Sequence, residues 1–322
     1  MKLRALSILV LAFVLPLLAV SAHADTLGAA DSFAVLAGST VTNDSGTGAP
    51  TIVNGNLGVS PGSAVTGFGP GIVIGGTIHA GDSLAAGAQG DVFTNTPNAF
   101  TILAGEGATG TTVTGGVLNT FNGGCGLGCF SPGNYLVPNA ISNLMGTIFL
   151  NDGGVAGSQF IFYTGAANTL ITSSNSVVDV SGLSPTDSVF WVVGSSATLG
   201  DSSVLEGNIL AYASITFNPG AQDPCGRALA QTGGVGFDGA NPATTTGVPN
   251  EISIGCGGNL AGSNGLGGGL NSVPPISTPG PGPATVPEPG TFALLLCGLL
   301  PIGLVTLRKL RPSPLTNCAE VL

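Results

Sequence analysis

Glycine sets the terms on which this chain can fold. Between residues 27 and 237, short apolar runs are interrupted again and again by Gly, Asn, Pro or Ser, and the 322 residues include 54 glycines. Glycine adopts positive φ without steric cost, so such a chain either stays disordered or turns tightly and often. The clusters Ile148-Phe149-Leu150, Phe160-Ile161-Phe162-Tyr163 and Phe190-Trp191-Val192-Val193 argue against disorder, because they supply a core to bury. What remains is a β structure of short strands. Candidate strands are residues 33–36, 51–53, 72–74, 160–163, 177–180, 189–193, 197–199, 204–210 and 215–217, all rich in Val, Ile, Thr and Phe. One stretch differs. From Asp82 to about Phe100 the chain carries Leu84, Ala85, Ala86, Ala88 and Gln89, and a helix is expected there, weakened by Gly87 and Gly90.

This strand spacing fits a sandwich or a solenoid. Three units favour the solenoid: Ser196-Ala197-Thr198-Leu199-Gly200, Ser214-Ile215-Thr216-Phe217-Asn218 and Gly234-Val235-Gly236-Phe237-Asp238. They recur about every twenty residues, a period compatible with the coils of a β-helix. Stacking them places Leu199, Phe217 and Phe237 inward and Thr198 and Thr216 outward. Gly236 stands where a third Thr would be expected, which counts against a continuous array.

Charge narrows the function. Away from the two ends, Arg227 and His79 are the only basic residues, and the acids are scattered (Asp44, Asp91, Asp152, Asp201, Asp238). Nucleic acid is therefore not an expected partner, since phosphate neutralisation needs Lys and Arg. Gly81-Asp82-Ser83-Leu84 spells the nucleophile block of GDSL-type esterases, but His79 lies upstream of the serine and no Asp-x-x-His follows. His79 reads as a surface loop residue. Gly233-Gly234-Val235-Gly236-Phe237-Asp238 matches one calcium-binding nonapeptide, a site built between tandem copies; a single copy reads better as a Gly-rich turn. No P-loop, dinucleotide fingerprint or His-Glu-x-x-His is present. A linear sequence leaves carboxylate pairs for glycoside hydrolysis undecided. The expectation is a protein without catalysis, cofactor or metal.

Both ends read as export signals. Lys2 and Arg4 precede an apolar run over residues 6–20 and the small-x-small site Ala22-His23-Ala24, the order of a signal peptide cleaved before Asp25. The run is shorter than the ~20 residues a bilayer requires. Near the other end, Val286-Pro287-Glu288-Pro289 leads into an apolar segment (291–307) followed by Arg308, Lys309 and Arg311. Basic residues on that side should keep it in the cytoplasm while the segment sits in the membrane. This tail resembles the PEP-CTERM sorting tails of Gram-negative bacteria. The resemblance implies signal peptidase and an exosortase as processing enzymes, transient membrane contact, and delivery to the envelope or exterior. The expected organisation is a signal peptide (1–24), a folded domain (25–258), a Gly/Pro/Ser-rich linker (259–285), a sorting tail (286–311) and an extension (312–322).

Six cysteines suit an oxidising destination. Cys297 and Cys318 belong to the tail, which leaves Cys125, Cys129, Cys225 and Cys256. Pairing 125 with 129 and 225 with 256 is one of three connectivities. A Zn site is the competing reading, disfavoured by the scarcity of His.

Blocks spread over most of the domain carry a second resemblance. They are Leu27-Gly28 through Phe33-Ala34-Val35-Leu36-Ala37-Gly38, Asn54-Gly55-Asn56-Leu57-Gly58-Val59-Ser60-Pro61-Gly62 with Thr66-Gly67-Phe68, and Ser131-Pro132-Gly133-Asn134-Tyr135. Val189-Phe190-Trp191-Val192-Val193-Gly194, Leu205-Glu206-Gly207-Asn208-Ile209-Leu210 and Gly226-Arg227-Ala228-Leu229-Ala230-Gln231-Thr232 follow in the same order. In these blocks the chain resembles the bacterial and fungal ice-binding family of the DUF3494 type. The resemblance implies a mainly β fold: an irregular right-handed β-helix, triangular in section, with one α-helix alongside formed near residues 82–98. The segment 105–130 would be a local elaboration. It also implies ice binding through a flat face of Thr, Ser and Ala, whose hydroxyls and methyls order surface water. Thr198 and Thr216 are the leading candidates, with Ser174, Ser214 and Thr232 behind them. The rival class is an adhesion or matrix module binding carbohydrate or another extracellular surface.

Overall fold

The computed structural model describes residues 27–44, 51–69, 71–138, 143–238 and 252–255. The expected signal peptide, linker, sorting tail with Pro287, Glu288 and Pro289, C-terminal extension and Cys256 lie outside these residues.

The strands pair in parallel and form a mainly β solenoid with three faces. The first face is a nine-stranded sheet in the order Ile78–Ala80, Asn56–Val59, Phe33–Ala37, Gly226–Ala230, Gly207–Ala211, Ser188–Gly194, Gln159–Ala166, Gly133–Leu136 and Thr111–Thr112. The second is six-stranded: Leu170–Ile171, Ala197–Leu199, Ile215–Phe217, Val235–Phe237, Thr40–Asn43 and Ala64–Thr66. The third consists of two three-stranded sheets, joined through isolated bridges at Val204, Gln222 and Asp223.

The coils do not stack in chain order. The chain starts in the middle of the stack and winds to one end by Ala80. A helical segment follows, after which the strands resume at Thr111 at the opposite end and wind back. The last coil then meets the first: Val35 lies opposite Ala228, Val41 opposite Val235, and Thr51 opposite Ile252. This junction is a seam between the two ends of the domain.

The central strands of the first face are buried on both sides, which is why Phe33–Ala37 and the core of Ser188–Gly194 read as near-continuous apolar runs. Val35, Phe160, Phe162, Trp191, Ile209 and Ala228 belong to the solenoid interior. Leu36, Ile161, Phe190, Leu210 and Leu229 instead pack with Ala85, Ala88, Val92 and Leu103 from the helical layer. Inside, aromatic rings stack from coil to coil, Tyr135–Phe162 at 5.2 Å and Phe162–Trp191 at 4.4 Å between centroids, and Phe130 meets Tyr135 edge-on at 5.0 Å.

The helix expected near 82–98 is present as far as Thr94, where it breaks, and a second helix follows. Helix α1 (Ser83–Gln89) passes into a π-helical turn at Gly90–Thr94, and α2 (Ala99–Ala108) follows. Pro97 separates them, since proline cannot continue a helical hydrogen-bond ladder. Asp82 caps α1 by accepting from the Ala85 amide at 2.9 Å, and Asn98 caps α2 through Thr101 at 2.9 Å. Gly107 lets α2 press on the sheet, because a Cβ there would lie 2.4 Å from that of Tyr163.

Three local expectations need correction. The stretch read as a Gly-rich turn is a strand, Val235–Phe237, paired on both sides. Residues 204–210 are not one strand: Val204 bridges on the third face and the chain bends before Gly207–Ala211. His79 lies on the strand Ile78–Ala80 rather than in a loop. Cys125 and Cys129 are joined, and Cys225 is also disulfide-bonded.

Candidate functional site

The second face has the composition and geometry of a contact surface. Its strands alternate strictly, with Ala197, Leu199, Ile215, Phe217, Val235 and Phe237 buried and the residues between them turned outward. Register puts Ile171, Thr198, Thr216, Gly236, Thr42 and Thr66 in one outward column. Two residues upstream, Ser196, Ser214 and Gly234, each just before its strand, continue the second column that Thr40 and Ala64 form at the strand starts. Successive coils are ~4.8 Å apart and the two columns ~6.6 Å apart, as parallel strand geometry dictates. Thr is stiff at χ1, so its hydroxyl and methyl are held in a fixed array. Among the described residues Arg227 carries the only Lys or Arg charge, and it is buried in the first face. No long cationic side chain crosses the second.

Gly236 interrupts the column for one strand only. A Cβ added there would meet nothing within 4 Å, so the gap is open space. Gly234 is different, because its Cβ would lie 2.8 Å from the Thr40 Oγ1 and 2.9 Å from the Thr40 carbonyl oxygen. Sequence order suggested that the array stops at Gly236. The seam corrects this by placing Thr42 and Thr66 beyond it.

Thr198, Thr216 and Ser214 are brought together on this face. Ser174 is not: it lies in the exposed turn beyond Ile171. Thr232 sits at the corner between the first and second faces, where its hydroxyl donates to the Tyr212 carbonyl at 2.9 Å. Thr40, Thr42, Thr66 and Ser196 escaped the sequence reading. Thr40-Val41-Thr42 carries the right alternation, but nothing in the sequence says that this segment adjoins Val235.

Other chemistry-bearing groups lead elsewhere. His79 lies between Thr77 Oγ1 at 2.9 Å and Asp82 Oδ2 at 2.7 Å, so its hydroxyl neighbour is Thr77 rather than Ser83. It ties an outer strand to the α1 cap. Asp152 and Asp187 form a close acid pair at a corner, but both are buried and thus out of reach of a glycosidic oxygen. The Ser184 hydroxyl, donating at 2.6 Å, lowers the Asp152 pKa, whereas burial and the neighbouring Asp152 raise that of Asp187. Among the described residues no group of three or more His, Cys, Asp or Glu is arranged to hold a metal ion, and no helix is long and apolar enough to cross a membrane.

Residues 35–241 match the ice-binding-like family model. The chain belongs to the ice-binding-like family. It is 41% identical over 219 residues to an ice-binding protein of Nostoc sp. (strain HG1), covering 68% of this chain and 73% of that protein. The solved ice-binding protein of the Antarctic ascomycete Antarctomyces psychrotrophicus superposes with a TM-score of 0.56 at 30% identity, over 71% of this chain and 96% of that one. An ice-binding protein from an Antarctic biological consortium gives 0.52 at 31% identity, over 71% and 90%. The family membership and the solenoid agree with one another.

Proposed function

We propose that this is an exported protein that binds ice through its second face, using hydroxyls and methyls rather than charge. The observation that carries the reading is the Thr column running through Thr198, Thr216, Thr42 and Thr66, interrupted once at Gly236. A flat array with a regular spacing between coils can template water in ice-like order, and adsorption of the protein then arrests growth of the crystal front. The two relatives above and the Nostoc protein, named for ice binding, support the assignment. The reading includes processing by signal peptidase and an exosortase, with delivery to the envelope or exterior. It assigns no catalytic residue, cofactor or metal.

Thermal hysteresis and ice-recrystallisation assays on residues 25–260 test it. Thr198→Tyr with Thr216→Tyr, and separately Thr42→Tyr with Thr66→Tyr, should each abolish or sharply reduce activity while the circular dichroism spectrum is unchanged. A well-folded wild type inactive at high concentration would sink the ice reading and leave the adhesion module. Activity untouched by both pairs would mean that another face binds.

A further inference from the structure

The second face is assembled from two distant stretches of chain, whose strands meet in parallel at the seam. Arg227 stands at that junction. Its guanidinium is fully buried on the helix-facing side of the first face. Nε and Nη2 donate to the Asp31 carbonyl oxygen at 3.3 and 2.9 Å, and Nη1 donates to Asn208 Oδ1 at 2.7 Å. The Asp31 carboxylate lies 3.7 Å away. Asn208 in turn donates to the Val189 carbonyl at 3.2 Å. The relay thus links the 3-10 turn Gly28–Ser32, which leads into the first coil, to the strands Gly226–Ala230, Gly207–Ala211 and Ser188–Gly194. A buried guanidinium is costly unless its donors are satisfied, and only one placement of Asp31 satisfies these.

We infer that Arg227 is a positioning residue for the binding face. It fixes the N-terminal coils against the C-terminal coil, so that Thr42 and Thr66 continue the column of Thr198 and Thr216 as one surface. The activity part of this inference rests on the ice-face reading; the structural part does not.

The test compares wild type with Arg227→Met and with Arg227→Lys. Lys keeps the charge that faces Asp31 and Asp223 but cannot reach the Asp31 carbonyl and Asn208 together. Amide exchange reads the seam directly, since Gly38 and Ser39 donate across it to the Gly233 carbonyl, both at 3.0 Å, and Asp44 to the Phe237 carbonyl at 2.9 Å. Exchange at these three amides should speed up by about tenfold or more. Ala213, bonded to the Ser195 carbonyl, and Ser60, bonded to that of Ala37, lie within one half each and should be unchanged. Hysteresis should fall to the level of the Thr42→Tyr/Thr66→Tyr protein, and adding those substitutions to Arg227→Met should cause no further loss.

Uniform loss of protection overturns the inference, as does global unfolding of both variants, because a seam lock leaves the coils from 111 to 230 folded. Full activity with normal seam exchange overturns it too, and so do losses that multiply with those of the Thr pair. A wild type without hysteresis defeats the ice reading alone, and the exchange measurements still decide the seam.

Discussion

Gly236 offers the sharpest test of the binding face, because the substitution there should improve the protein. In Gly236→Thr the new Cβ meets nothing within 4 Å, and the backbone at this position is not in the left-handed region. The hydroxyl and methyl would stand between Thr216 and Thr42, converting an interrupted column into five consecutive Thr from Thr198 to Thr66. Replacing strand Gly with a β-branched residue spans most of the β-propensity scale, so a stabilisation of about 1 kcal/mol is expected. For a domain of this size that raises Tm by ~2–4 °C. Gly234→Thr is the control, because the same side chain two residues upstream runs into Thr40 and should cost about 1–3 kcal/mol by overpacking. Tm follows from thermal unfolding by circular dichroism, and activity from nanolitre osmometry at matched concentration. The expected result for Gly236→Thr is a higher Tm and a larger hysteresis. A higher Tm with unchanged or smaller hysteresis would refute the reasoning that this column contacts ice.

Asp223 is fully buried, and burial, aided by Glu206, raises its pKa well above 3.8 against the opposing pull of the Gly207 amide and Arg227. A raised folded-state pKa contributes stability that is complete below 3.8 and is lost as pH rises through the folded value. Asp223→Asn should therefore raise Tm at pH 7 and flatten its pH dependence; an unchanged pH profile would contradict this. Replacing Cys125 and Cys129 by Ser opens a loop with a sequence separation of 4, which chain entropy values at about 2 kcal/mol, and hysteresis should be unaffected because the loop is not on the second face. Phe162→Ala removes the ring that stacks on Tyr135 and Trp191 and meets Phe130 edge-on, and should cost about 3–5 kcal/mol in urea unfolding; a loss below 1 kcal/mol would show that this aromatic cluster is not a principal part of the core.

What was legible in the sequence was local. The alternation in Ala197-Thr198-Leu199 and Ile215-Thr216-Phe217 fixed which side chains point outward before any fold was in hand, because strand periodicity needs only neighbours. The apolar runs at 160–163 and 189–193 announced buried strands for the same reason. The helical layer was less legible: α2 carries Gly105 and Gly107, poor helix formers, and exists because packing against Ile161 and Tyr163 outweighs their propensity. Ser174 and Thr232 were misplaced for a related reason, since a solenoid corner lies only two or three residues from a face and hydroxyl residues are favoured at both.

Adjacency was not legible, and the binding face depends on it. Reading the coils in chain order makes Gly236 the end of the Thr column and leaves Thr40-Val41-Thr42 as an unrelated early strand. The crossing of the helical segment reverses this, because it returns the chain to the far end of the stack and forces the last coil to close on the first. Closure needs a partner for each backbone group at the junction and a reason for one register over its neighbours. Parallel ladders supply the first. Backbone pairing by itself is indifferent to a slip, whereas a buried guanidinium with two fixed acceptors is not. The domain's single Arg, with no Lys beside it between residues 25 and 258, therefore sits where sliding one half along the other would be most damaging to the face.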